Sequence, residues 1–428
     1  MPASTPARRV EVSAMLLALV TGLACGSTKP EPARPASYLV VWAGPHMDES
    51  APAAKRRPAN PPDFVAVFDA DPASTRYGAL LATKDVGVPG VMAHHTELTL
   101  PPGQPLVTSD FMTGQIFLID VSDPLAPKVT KRIDSIPGYR RPHSFARLAN
   151  GHVLVAMQNG AGTLPGDPGG LVELDPTGRV LRSSSAADAA FPGARIRPNG
   201  VELLPAIDRI VTTSMPMDEE VTADVVQIWR LSDLRLLHTL GVPALPGKTG
   251  NSFPYDSRTL ADGRTVMMNT YYCGFYRVSE IATDQPQLDL VHALHEPHAE
   301  GCAVAVVAGH YWIVPAAFAR TIVSFDVSDP THPVEVSRLQ TDSTFYPHWL
   351  STDPASDRIV VGSADGGAPR VLVARMDRTT GTLTWDERFR DAGSSRLGVD
   401  LDRPELRRGA ASHVMGHAAL FGPAVATR

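Results

Sequence analysis

Three cysteines in 428 residues, Cys25, Cys273 and Cys302, leave no thiolate set from which a metal site could be built. No tract of lysine and arginine interleaved with aromatics is present, and the net charge is -6, so the footprint of a nucleic-acid-binding protein is missing. Long helical periods are absent. Also lacking are the G-x-S-x-G turn, the phosphate-cradling Walker loop and the H-E-x-x-H zinc motif. The glycine-rich stretch Gly160–Gly170 falls between two strand patterns, with no helix to carry a phosphate.

What is plentiful is proline and glycine, 39 and 34 residues, the punctuation of many short strands. An apolar content of 43% is enough for a large core, and a chain of this length can form one all-β domain.

The first 24 residues read as a signal peptide. Arg8 and Arg9 precede the apolar run Met15–Val20, too short to span a membrane, and small residues lead to Cys25. Leu23-Ala24-Cys25-Gly26-Ser27 resembles a bacterial lipoprotein signal, in which the cysteine carries the lipid. Residues 25–37 form a Pro-rich tether and residues 38–428 the folded domain. The expectation is a periplasmic protein or an outer-membrane-anchored lipoprotein, meeting the membrane only through Cys25. In that compartment Cys273 and Cys302 either pair or remain buried thiols.

A repeat organises the rest. Ile116–Pro124 and Ile322–Pro330 are each an alternating strand closed by Asp-Val-Ser-Asp-Pro, with a second proline three positions on, Pro127 and Pro333. Weaker copies start near residues 64, 170, 225, 274 and 370, a spacing of roughly fifty residues. Each copy has a strand pattern before it and another after it. Four strands per unit and seven units predict a seven-bladed β-propeller. The first unit has no innermost strand of its own, whereas His413–Phe421 is spare, so the C-terminal strand is expected to complete the first blade.

Equivalent positions at the head of the inner strands read His95, His143, Asn199, Tyr255, the Glu300–Cys302 stretch, His348 and His413. Imidazoles far apart in sequence but equivalent in a closed ring converge at its mouth, the way metal sites are assembled. His94, His95, His143, His348 and His413 are therefore the candidate ligands. Glu97, two residues from His95, is the candidate general base or outer-shell partner. His417 falls on the strand face of His413, deeper in the channel. His295 and His298 fall on the loop to the sixth inner strand. His46, His152, His238, His292, His310 and His332 lie elsewhere in the repeat and read as structural. A histidine set without thiolate suits copper, with zinc or iron as alternatives.

At these residues the chain resembles the selenium-binding protein / methanethiol oxidase family. The matching pieces are Ala93-His94-His95, Ile116–Pro127, Pro142-His143-Ser144, Ala149–Val155 and Ser412-His413. The resemblance implies a seven-bladed propeller, a periplasmic copper-dependent oxidase acting on methanethiol, and metal ligands at His94, His95, His143 and His413. The family's cysteine-bearing segment after the His-His pair is absent here, and His348 has no counterpart in it.

Two other classes stay open. A lactonase-like hydrolase is suggested by Arg197-Pro198-Asn199-Gly200, although such enzymes hold calcium in a carboxylate and amide shell. A noncatalytic propeller that binds or scaffolds a partner would make the histidines incidental.

Overall fold

The computed structural model describes Met1 and residues 35–46, 61–90, 92–162, 166–217, 223–406 and 413–422. The signal segment, Cys25 and most of the tether lie outside those residues. From Tyr38 onward the described chain is built from strands, and its one helical element is a 3-10 turn at Pro205–Ile207.

Seven antiparallel sheets make seven blades, each of four strands, with one extra short strand, Val399–Asp400, at the edge of the seventh. Six sheets run in simple chain order from the axis outward. The first is different: His413–Phe421 pairs with Tyr38–His46, and the sheet continues through Pro62–Asp69 to Leu80–Pro89. The C-terminal strand thus forms the inner strand of the first blade, as the sequence predicts, and closes the ring without a free seam.

The strand patterns follow their depth. Second and third strands, such as Leu106–Asp110 and Ile116–Asp120, are buried nearly throughout, whereas the outer strand Lys128–Ile133 is largely exposed. The Asp-Val-Ser-Asp-Pro segments turn the chain from third to outer strand. In them Asp120 and Asp326 each accept the backbone N–H two residues on, at 2.9 and 2.8 Å. Four tryptophans, Trp42, Trp229, Trp312 and Trp349, are fully buried, each contributing on the order of 1.5–3 kcal/mol of hydrophobic stabilisation.

Arginines join neighbouring blades by donating to main-chain carbonyls. Arg258 reaches Ala305 at 2.7 Å, and Arg209 reaches Ile281 at 3.2 Å. A disulfide between Cys273 and Cys302 ties the fifth blade to the segment entering the sixth. Of the two states open for these cysteines in sequence, the bonded one is present.

Candidate metal centre

The inner strands share one irregularity that builds the site. Six of the seven lose register with their neighbour at a single place, and the skipped residues are the ring positions. The breaks fall at Ala93/Thr96, Pro142/Phe145, Pro198/Val201, Pro254/Asp256 and Pro347/Trp349. In the first blade the register jumps from Ala418 to Gly416, passing over His417. Proline has no N–H to continue a ladder, and a bulge turns consecutive side chains to one side. That is how the adjacent residues His94 and His95 stack ring on ring, with centroids 4.4 Å apart and planes 13° apart.

Five imidazoles meet on the axis. His94 lies 4.2 Å from His417 and 4.7 Å from His143, between ring centroids. His95 lies 4.0 Å from His143, and His348 lies 4.9 Å from His417. Nitrogens of His94, His95 and His417 all fall within 4.8 Å of one another. Tetrahedral coordination with bonds near 2.0–2.1 Å needs separations of about 3.3 Å, a small further convergence of the rings.

Four of these residues are buried throughout, and His348, partly exposed as a residue, has its ring enclosed with them. The floor is closed. Trp349 packs 5.2 Å from His95 and donates to the Ala419 carbonyl, and Ser351 reaches Leu98 across the channel at 2.7 Å. The space left beside His95 is about 10 Å³, room for roughly one water.

Outer contacts fix which nitrogens face inward. Nδ1 of His143 donates to the Asn199 carbonyl at 3.1 Å, and the Asn199 side chain is itself held by Tyr255 and Gln158. A carbonyl can only accept, so the neutral His143 ring carries its proton on Nδ1 and leaves Nε2 with a lone pair. The Ser144 hydroxyl stands 3.0 Å from that Nδ1 and 3.1 Å from Nδ1 of His95.

The inward atoms have no partner. Both nitrogens of His94 and Nε2 of His95, His143 and His417 are buried without a hydrogen bond. Buried polar groups are ordinarily satisfied, and a metal ion would satisfy the nitrogens of His94, His95 and His417, which lie close to one another. Burial holds the imidazoles neutral, as ligands must be. It lowers His94, His95 and His417 far below the ordinary histidine value, His143 to about 3 and His348 to about 4. Neighbouring imidazoles add to the effect in four of the five. The residues present therefore fit a metal ion, held by His94, His95 and His417 with His143 beside them.

Comparison with known proteins bears on the scaffold. No protein-family model and no curated protein sequence matches the chain. Solved structures do. A hypothetical selenium-binding protein from Sulfolobus tokodaii superposes with TM-score 0.71 at 13% identity, covering 90% of this chain and 94% of that one. A periplasmic gluconolactonase from Pseudomonas aeruginosa gives 0.59 at 15%, covering 91% and 100%. These likenesses establish the propeller and leave the chemistry to the site.

The candidate residues separate on this geometry. His94, His95, His143 and His348 come together. His413 starts its strand with its backbone paired to His46, and its side chain lies outside the described residues. The ring position of the first blade is His417, four residues on. The signal for it was the run Ala418–Phe421, which follows His417 as an apolar strand follows the other ring positions; glycine in place of the usual proline concealed it. Ser144 and the Asn199 carbonyl gave no signal, because orienting contacts depend on the closed ring.

Glu97 lies just beyond the short strand Ala93–Thr96. Both its oxygens bind Arg147 of the next blade, at 2.7 and 2.6 Å, and one also accepts the Val107 N–H. Burial raises its carboxyl and Arg147 draws it down, leaving it raised overall. Two of the other histidines have local partners: His152 bonds Glu173, and His292 stacks on Phe275.

Proposed function

We propose that this chain is an exported metalloenzyme, an oxidase of the selenium-binding protein / methanethiol oxidase type acting on a small thiol or related molecule. Copper is the proposed ion, with zinc or iron as alternatives. The observation that carries the reading is the set of buried, unpartnered imidazole nitrogens of His94, His95, His143 and His417 facing one another. The inter-blade disulfide accords with an oxidising compartment. A copper ion held there would supply Lewis acidity and one-electron redox capacity. The protein's part is to present neutral donors, to fix their tautomers through Ser144 and Asn199, and to keep water out with the Trp349 floor. His348 is held by the Tyr255 hydroxyl at 3.3 Å, which orients it beside the other rings.

A lactone hydrolase is the second reading, favoured by the fold likeness to the gluconolactonase. The donor set argues for the first, because the residues grouped closely enough to hold a metal are all histidines. Oxygen consumption by copper-loaded protein with methanethiol, measured beside hydrolysis of gluconolactone, separates them. Thiol-dependent oxygen uptake lost in His95→Ala supports the oxidase. Lactone hydrolysis without oxygen uptake transfers the assignment to the hydrolase, and inactivity in both assays leaves a binding or scaffold protein.

A further inference from the structure

The side of the mouth nearest His348 carries a second feature that the histidine cluster does not use. Phe318, 42% exposed, stands in the turn between the second and third strands of the sixth blade. Its ring lies 5.6 Å from that of Tyr346 and 6.4 Å from that of Tyr271. Such turns, and the connections that enter the inner strands, open on the same face of an antiparallel ring as the heads of those inner strands. Tyr346 enters the seventh inner strand two residues before His348 of the cluster.

Phe318, Tyr346, Arg320, His298 and Thr341 are among the residues lining a groove of about 410 Å³, within the size range of small-molecule sites. Arg320 is the charged side chain of its lining. The guanidinium lies 5.9 Å over the Tyr346 ring and forms no ion pair among the described residues. No carboxylate lines the groove. Two lie beside it: Asp342 is engaged by Arg370, and Glu300, whose carbonyl accepts the Phe318 N–H at 3.2 Å, acts on Tyr271. An arginine outside any ion pair, beside an exposed aromatic face, is a complement for an organic anion with a flat apolar body.

We propose that this groove binds an aromatic carboxylate, its ring laid on Phe318 and Tyr346 and its carboxylate on Arg320. The groove shares Tyr346 with the segment that enters the inner strand of His348. Calling it the substrate rests on the metal-centre reading; binding itself does not.

The test is titration of the purified chain with phenylacetate, followed by calorimetry or saturation-transfer NMR, with benzyl alcohol as the uncharged probe. Phenylacetate should bind, and benzyl alcohol should bind at least about tenfold more weakly, the cost of losing a charge-assisted contact. Arg320→Gln should abolish that preference, Arg320→Lys should retain part of it, and Phe318→Ala should weaken both probes. The three substitutions fall at two exposed residues, and circular dichroism confirms the fold. Absence of phenylacetate binding, or unchanged affinity in Arg320→Gln and Phe318→Ala, overturns the proposal. Metal content measured on the same samples decides the metal reading separately, so one can fail while the other stands.

Discussion

The Ser144 hydroxyl lies 3.1 Å from Nδ1 of His95, across the boundary between the third and second blades. It also lies 3.0 Å from Nδ1 of its neighbour His143. The His143 Nδ1–H donates to the Asn199 carbonyl, whereas Ser144 is the hydrogen-bond partner found for Nδ1 of His95, holding that ring with Nε2 toward the axis. Ser144→Ala removes this partner and leaves the rings in place. Metal affinity should fall by about 10–100-fold, as for other outer-shell partners, with little change in thermal stability. Competition against a chelator of known affinity measures it; unchanged affinity would show that the tautomers are fixed without Ser144.

Glu97 and Arg147 join the second and third blades through two short hydrogen bonds, with the carboxylate almost fully buried. Removing one partner strands the other in a dry setting. Arg147→Met should therefore cost roughly 3–5 kcal/mol in urea unfolding, and Glu97→Gln somewhat less because the amide still bonds. Metal content per folded molecule should stay the same in both. A loss of metal or turnover in Glu97→Gln without a loss of stability would give the carboxylate a direct part in the chemistry.

Asp63 is a further buried carboxyl, packed against Gly44 and Gly90, which have no side chain to exclude it. Burial pushes its pKa well above the carboxylate range, and the adjacent Asp110 raises it further. The native state then holds a proton that the unfolded chain releases near pH 4, so this group's contribution is favourable in acid and is lost as the pH rises. Asp63→Asn, neutral at every pH, should stabilise the protein at pH 7–8 by about 1 kcal/mol or more, and the gain should shrink toward pH 4. Urea midpoints across that range check the sign. A gain independent of pH would mean that proton linkage is not its cause.

The blades were legible because a propeller repeats one alternating pattern with one turn. Asp120 and Asp326 occupy equivalent turns, and their side chains make the same bond to the backbone two residues on. Closure was legible from the strand the first blade lacked. The site was legible only to within a few residues. Four histidines could be placed at the head of their strands, but a one-residue register skip decides which side chains reach the axis. In the first blade that skip falls at His417, four residues past His413. The Cys273–Cys302 bond and the groove at Phe318 lie where residues of adjacent blades meet, and nothing in local sequence fixes such meetings.

The central claim is that the orphaned imidazoles hold a metal ion. Its most direct measurement is the copper and zinc content of the purified chain after loading and exhaustive dialysis, for the wild type and for His417→Gln and His413→Gln. The account predicts close to one equivalent in the wild type, loss in His417→Gln and retention in His413→Gln. A wild-type chain that retains neither metal, or that loses it in His413→Gln and keeps it in His417→Gln, would contradict the account.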